Sequence, residues 1–312
     1  MRRSCFYGGD EMDRHNATTN DQTVPGAEPP IKALHVLSSG WAEQHKEHRY
    51  GTWMPRTMWA LLSRSWVKLP INYFLIEHRD GLVLFDTGLD PRLTTDPTYI
   101  DSPIGRFLLR RIFRFHLLAE SRLDNVVTEA GFRPFEIKKA VISHLHFDHV
   151  GGIEQIPQAN LIVSQTEWDQ LSEPHPEHDW ILKEHIQIPG ARWTPIKFEP
   201  VDNPLFQEFD GAYDVAGDGS MVLLPTPGHT PGSLSMLIRR DGWDPVLLVG
   251  DLTYEAELLA NDITPGTGDT VTLRKTYAKV RGLQEELPGL AIVPAHDFAA
   301  SESISRAIRG QT

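Results

Sequence analysis

From Ala33 onward, short runs rich in leucine and β-branched residues alternate with polar turns. The runs are ALHVLS (33–38), INYFLIEH (71–78), GLVLFDTG (81–88), KAVISH (139–144), NLIVSQ (160–165), SMVLLPTPGH (220–229), SLSMLIRR (233–240), PVLLVGD (245–251) and LAIVPAH (290–296). Each has the length of a strand, and most carry a glycine or an aspartate at one end, where a chain turns. Helical spacing lies between them. Residues 122–131 place Leu123, Val126, Val127 and Ala130 on one face and close at Gly131. Residues 269–287 align Val271, Tyr277, Val280, Leu283 and Leu287 before Pro288 stops the helix, and 166–171 reads as another helix start. Strands come first and then alternate with helices, which predicts an α/β chain with a two-sheet core and helices outside it.

Residues 1–31 are rich in Asn, Asp, Thr, Gly and Pro without periodicity and read as a flexible tail. Residues 32–312 read as a single domain with a segment inserted at about 95–120. Two stretches break the strand rhythm. One runs from Trp41 to Trp66 and holds Trp41, Trp53, Met54, Met58, Trp59 and Trp66; the other is the arginine-studded PIGRFLLRRIFRFHLL at 103–118. Core packing accounts for both. The sharper reading makes them a pocket wall or a subunit interface, with Trp41, Trp53, Met54, Trp59 and Phe113 set against a substrate and a homodimer left open.

Composition narrows the partners. Over 312 residues, 42 Asp and Glu outweigh 30 Lys and Arg, a net charge of -12 that argues against gripping a nucleic-acid backbone. Cys5 is the one cysteine, so no intramolecular disulfide or cysteine-rich metal cluster can form, and a metal must be held by His, Asp and Glu. No run approaches the length of a membrane span, and no apolar region follows the two N-terminal arginines, so the expectation is a cytoplasmic protein.

The chemistry concentrates in Ser143-His144-Leu145-His146-Phe147-Asp148-His149, directly after the run KAVIS. A strand would point His144 and His146 the same way, and the following turn can bring Asp148 and His149 beside them. Three further candidate ligands stand where runs end: His229, Asp251 and His296. Strand ends present side chains to a cleft. Five histidines and two aspartates suit two metal ions better than one, because a single Zn²⁺ takes about four ligands. These donors fit Zn²⁺ foremost, and also Fe²⁺, Mn²⁺ or Co²⁺. Asp86, at the end of LVLF, is a candidate for orienting one of the first-motif histidines, with a structural turn aspartate as the alternative. His175, His178 and His185 read as solvated surface residues, and His15, His35, His45, His48, His78 and His116 show no clustering with the motif.

The pattern resembles the metallo-β-lactamase superfamily, whose His-x-His-x-Asp-His signature stands as His144, His146, Asp148 and His149. The resemblance spans roughly 33–300 and includes the Asp86-Thr87-Gly88 turn and the loop from Thr226 to Gly232. It implies an αββα sandwich with a dinuclear site at one edge: His144, His146 and His229 on one metal, Asp148, His149 and His296 on the other, and Asp251 bridging. Asp251-Leu252-Thr253-Tyr254 looks like the Asp-x-x-Tyr of the N-acyl-homoserine lactonases, and GFRPFEIKKAVISHLHFDHVGG and TEWDQ are similar to that family too.

The implied activity is opening of the lactone ring of N-acyl-homoserine lactones, or quorum quenching, by a metal-bridging hydroxide. Tyr254 would donate to the carbonyl oxygen as charge develops there, and Asp148 or Asp251 would carry a proton to the leaving alkoxide. The alternative is a glyoxalase II-like thiolesterase or another lactonase or esterase of the fold. A thiolesterase of that kind needs a C-terminal helical domain, and little chain follows His296. A nuclease is disfavoured by the net charge, and a non-catalytic metal-dependent scaffold by the complete ligand set.

Overall fold

A computed structural model describes residues 28–310. The tail expected over 1–31 therefore falls almost wholly outside the described residues, although Ile31, its last member, is fully buried and opens the first strand. Among the described residues twelve strands form two sheets. The first contains β1 (Ile31–His45), β2 (Trp66–His78), β3 (Gly81–Phe85), β4 (Phe113–His116), β5 (Ile137–Val141), β6 (Asn160–Ser164) and β7 (Arg192–Ile196). Its order is β4-β1-β2-β3-β5-β6-β7, antiparallel from β4 to β3 and parallel from β3 to β7. The second contains β8 (Tyr213–Asp214), β9 (Met221–Pro225), β10 (Leu234–Ile238), β11 (Val246–Leu248) and β12 (Ala291–Val293), ordered β12-β11-β10-β9-β8. Among the described residues no helix is long and apolar enough to cross a membrane.

The pleat sorts the core. Phe74, Ile76, Val83, Phe85 and Val141 of the first sheet meet Leu223, Met236, Ile238 and Leu248 of the second between the layers. The alternate positions Leu75, Leu84 and Ala140 face outward onto Leu123 and Val127 of the helix Leu123–Glu129. Leu224, Leu237 and Leu247 of the second sheet pack on the helix Thr270–Glu286. Because strands buried on both faces read as continuous apolar runs, they were legible as short hydrophobic blocks. The result is a four-layer arrangement, helix on sheet on sheet on helix, as the resemblance implied.

Three details differ from the sequence reading. In the helix Thr270–Glu286 it is Leu273 that is buried, whereas Val271 is 63% exposed. Asp269 caps that helix by accepting from the Thr272 N–H at 2.7 Å, and Tyr277, Val280 and Leu283 are buried as the spacing predicts. β1 and β2 form a hairpin reaching His45 and Trp66, far beyond the runs that signalled it. β1 shifts register between Ser38 and Trp41, at Gly40 with φ of 119°. Trp41 and Trp66 therefore lie on strands, and the stretch between them does not wholly break the strand rhythm. The inserted stretch forms the helix Pro103–Ile112, capped by Ser102, and then β4, which pairs with the far end of β1.

Candidate metal centre and cavity

β5 ends at Val141, so His144 and His146 sit on a loop beyond the strand and not on its pleat. Side-chain and main-chain hydrogen bonds hold that loop instead. Asp86 accepts from the Ser143 N–H at 2.7 Å and from Ser143 Oγ at 2.9 Å. The buried carboxylate of Glu167 accepts from the Leu145 N–H at 2.9 Å, and also from Thr230 Oγ1 at 2.7 Å and the Gly232 N–H at 3.1 Å. One side chain thus ties the first-motif loop to the loop carrying His229. A short helix, Phe147–Val150, then turns His149 inward.

Two of the remaining ligands follow glycines in conformations other residues resist. Gly228 (φ of 141°) precedes His229, and a Cβ there would fall 2.8 Å from Leu273. Gly250 (φ of 54°) precedes Asp251, with Ser143 Oγ 2.8 Å from where a Cβ would be. Asp86 itself adopts a φ of 63° without being glycine, the kind of local strain that surrounding contacts sustain at functional sites.

All seven predicted ligands converge. His144 Nε2 and His229 Nε2 lie 3.0 and 3.1 Å from His146 Nδ1. Asp148, His149 and His296 form a second group whose ligand atoms are mutually within 4.8 Å. Asp251 stands between the groups. Its Oδ2 is 3.5 Å from His229 Nε2, while its Oδ1 is 3.3 Å from His149 Nε2 and 3.1 Å from His296 Nε2. Among the described residues, His149 Nε2 and Asp251 Oδ1 are buried with no hydrogen-bond partner although they face each other. Stranded lone pairs and carboxylate oxygens directed at common points are a donor set that fits two divalent cations.

Electrostatics separates the two groups. Burial, reinforced by neighbouring histidines, holds His144 well below the ordinary imidazole value. Burial lowers His146 to about 4 and His229 to about 3. These three rings are neutral and offer lone pairs. His149 and His296 are buried too, but the carboxylates outweigh burial. Asp251, Asp86 and Asp148 hold His149 well above its usual value, and Asp251 with Asp148 lifts His296 to about 10. Burial opposes charge on Asp148 as well, yet His149 and His296 bring it down to about 2. The second group is therefore rich in negative charge that protons or a metal must balance.

Behind Asp86 the predicted orienting role takes shape: its Oδ2 lies 2.9 Å from His149 Nδ1. Tyr254, 2% exposed, stacks on His296 with centroids 5.4 Å apart. His296 Nδ1 donates to Pro70 O at 2.7 Å, which turns Nε2 toward the aspartates.

A cavity of about 450 Å³ opens beside these residues, with His146, Asp148, His229, Asp251, Tyr254 and His296 in its wall. Trp59 and Phe113, two of the five proposed substrate contacts, line it together with Leu69, Ile71, Ile112 and Phe115. The other three do not. Ala42 and Gln44 face the cavity, so the strand pleat sends Trp41 to the opposite face, where it stacks on His116 at 3.6 Å. Trp53 is 88% exposed in the turn before the helix Arg56–Leu62, and Met54 lies in the same turn outside the cavity wall.

Sequence reasoning missed several wall residues. Phe147 was visible inside the first motif but was not assigned to the cavity, and Trp180 packs on it with centroids 6.0 Å apart. His48 was set aside as unclustered; it lines the cavity, and its Nε2 lies 2.9 Å from the Tyr254 hydroxyl. No sequence signal links residues that far apart. His175 and His178 are exposed beside Glu177, as expected of surface residues, whereas His185 bonds the Tyr99 carbonyl at 2.7 Å.

Comparison with known proteins agrees with this geometry. An N-acyl homoserine lactonase AttM of Rhizobium johnstonii is 29% identical over 246 residues, 77% of this chain and 86% of the relative. An N-acyl homoserine lactonase from a Bacillus species is 30% identical over 195 residues, 62% of this chain and 68% of the relative. A solved N-acyl homoserine lactone hydrolase with N-hexanoyl-L-homoserine at its catalytic metal centre superimposes with a TM-score of 0.70 at 22% identity, over 88% of this chain and 96% of that one. AidC, a dizinc quorum-quenching lactonase, superimposes with a TM-score of 0.55 at 16% identity, over 86% and 90% of the two chains. The sequence model of the metallo-beta-lactamase superfamily matches residues 66–296, from the start of β2 through His296, and the chain belongs to that superfamily.

Proposed function

We propose that the protein is a metal-dependent hydrolase that opens the lactone ring of N-acyl-homoserine lactones. The observation carrying this reading is the buried Tyr254 hydroxyl standing in the wall of an apolar cavity that also exposes both ligand groups. Lactonases among the relatives support it.

In this reading His144, His146 and His229 would hold one divalent cation and Asp148, His149 and His296 a second, with Asp251 standing between the two groups. Zinc suits these donors, and a dizinc neighbour of the same fold supports that choice. Such cations supply a water with a lowered pKa and polarise an ester carbonyl. The protein's own groups do the rest. Burial, with Asp251 and Asp148 nearby, pushes the Tyr254 phenol well above its usual value, so it stays protonated and can donate to a carbonyl oxygen that is gaining charge. Asp148, an ionised carboxylate that reaches the cavity wall, is placed to take the proton of the attacking water and pass it to the alkoxide released when the ring C–O bond breaks. Trp59, Leu69, Ile71, Phe113 and Phe115 exclude water around an acyl tail.

Hydrolysis of homoserine lactones of graded chain length, a δ-lactone, S-lactoylglutathione and a cephalosporin by metal-analysed protein tests the assignment. Homoserine lactones should be turned over with the highest kcat/KM. Faster hydrolysis of S-lactoylglutathione would replace it with the thiolesterase reading. A homodimer is part of the proposal as well, supported by the exposed Leu62, Ile104 and Phe107 beside the cavity-bearing helices; sedimentation at several concentrations tests it.

A further inference from the structure

We infer that His48 is a positioning residue for Tyr254: its Nε2–H donates to the phenol oxygen and leaves the tyrosine's own proton free for the substrate carbonyl. The inference rests on the reading of Tyr254 as the donor to that carbonyl. His48 Nε2 and the Tyr254 hydroxyl are 2.9 Å apart, and the two rings meet at 83°. Both residues are buried, with His48 only 7% exposed. The imidazole is boxed by Trp59 and Phe113, whose centroids lie 5.8 and 5.4 Å away.

The segment that carries His48 is fastened on both sides of this contact, to the segment that carries Tyr254 and to the chain around Gly266. Arg49 pairs with Glu255, so consecutive residues on one segment engage consecutive residues on the other. The Gly266 N–H donates to the His48 carbonyl at 2.8 Å. Gly266 packs so tightly that a Cβ would lie 2.1 Å from the Glu47 carbonyl oxygen. Glu47 in turn accepts from Ser63 Oγ at 2.6 Å, and Arg49 donates to the Lys68 carbonyl at 2.9 Å. An imidazole held this firmly has little freedom to turn away from the phenol.

Proton bookkeeping then selects the tautomer. Burial, with His229 close by, brings the imidazole down to about 3, so it is neutral and carries one N–H. If that hydrogen sat on Nδ1, Nε2 would accept the Tyr254 proton and the phenol would have none to offer a carbonyl. Nδ1 is buried with no partner among the described residues, and a stranded donor is a rarer fault in proteins than a stranded acceptor. Both considerations place the hydrogen on Nε2.

Steady-state kinetics on a homoserine lactone, with metal content and thermal midpoint recorded for every preparation, tests this. The variants are His48→Ala, His48→Gln, Tyr254→Phe and the double variant His48→Ala/Tyr254→Phe. His48→Ala should lower kcat by about 10- to 100-fold, the scale of a misplaced catalytic group, with KM and metal content nearly unchanged. His48→Gln, whose amide N–H can reach the phenol oxygen, should recover most of the loss. Added to Tyr254→Phe, His48→Ala should cost almost nothing further. An additive double variant, or His48→Gln as impaired as His48→Ala, would overturn the inference while leaving Tyr254 in its role. A Tyr254→Phe variant with unchanged kcat would remove the donor assignment and this inference with it.

Discussion

Asp86 Oδ2 sits 2.9 Å from His149 Nδ1, while the opposite nitrogen of the same ring faces Asp251 at 3.3 Å. A carboxylate at the back of an imidazole fixes which nitrogen presents its lone pair, and it raises the basicity of that lone pair. Asp86 also holds Ser143, the residue before the first ligand, so one carboxylate aligns both ends of the first motif.

Asp86→Asn should test the charge with the shape kept, since asparagine tolerates the positive φ found there. The variant should bind the metal of the His149 group about 10- to 100-fold more weakly. Competition with a chromophoric chelator would measure this, and undiminished affinity would return Asp86 to a turn residue.

Purified protein should carry about two transition-metal ions per chain, because seven converging ligands exceed what one needs. His149→Ala or His296→Ala should empty one site and cut activity severely. Full activity at one metal per chain would sink the dinuclear assignment.

Acid should loosen the metals. Without a cation, His149 and His296 hold protons above their usual pKa because carboxylates surround them, so a cation entering that group must displace protons to bind. Affinity therefore rises with pH and falls as pH drops. Stripping by a chelator should be faster at about pH 5.5 than at about pH 8; equal rates would contradict the charge balance drawn for this group.

Tyr254→Phe should keep its metal content but turn over lactones roughly 10- to 1000-fold more slowly, the range for losing one donor to an oxyanion. Rate and metal content measured on the same preparation would decide between this role and that of a packed aromatic.

Chain length should register in KM. Each acyl methylene buried against Trp59, Leu69, Ile71 and Phe113 contributes up to about 0.8 kcal/mol, or about fourfold. Phe113→Ala should flatten the chain-length profile, whereas Trp53→Ala, altering an exposed residue outside the cavity wall, should leave it unchanged. A flat profile in the wild type would place the acyl tail in solvent.

Much of the architecture was legible because buried strands announce themselves as apolar blocks: β3, β6, β9, β10, β11 and β12 all fall within the runs identified, and β5 begins two residues ahead of its run. β4, β7 and β8 did not stand out. β4 reads FRFH, with Arg114 and His116 on its outer face, and β8 is only two residues long. The long β1–β2 ribbon was cut short for a related reason. Beyond Gly40 its two faces mix tryptophans, polar residues and charges, so the alternation that marks a half-buried strand is blurred.

The seven side chains that converge could be singled out from the sequence, since a dense run of metal-binding residue types is a local property, and the spacing from Asp251 to Tyr254 is local too. Tertiary structure decided which aromatics face the site. A pleated strand divides its residues between two faces, and only the pairing of β4 with β1 and of β1 with β2 shows that Phe113, Phe115, Ala42 and Leu69 look inward while Trp41 looks away. It also decided the place of His48. Nothing local distinguishes that histidine from its neighbours, because its meaning comes from a hydroxyl 206 positions further along the chain that the fold brings beside it.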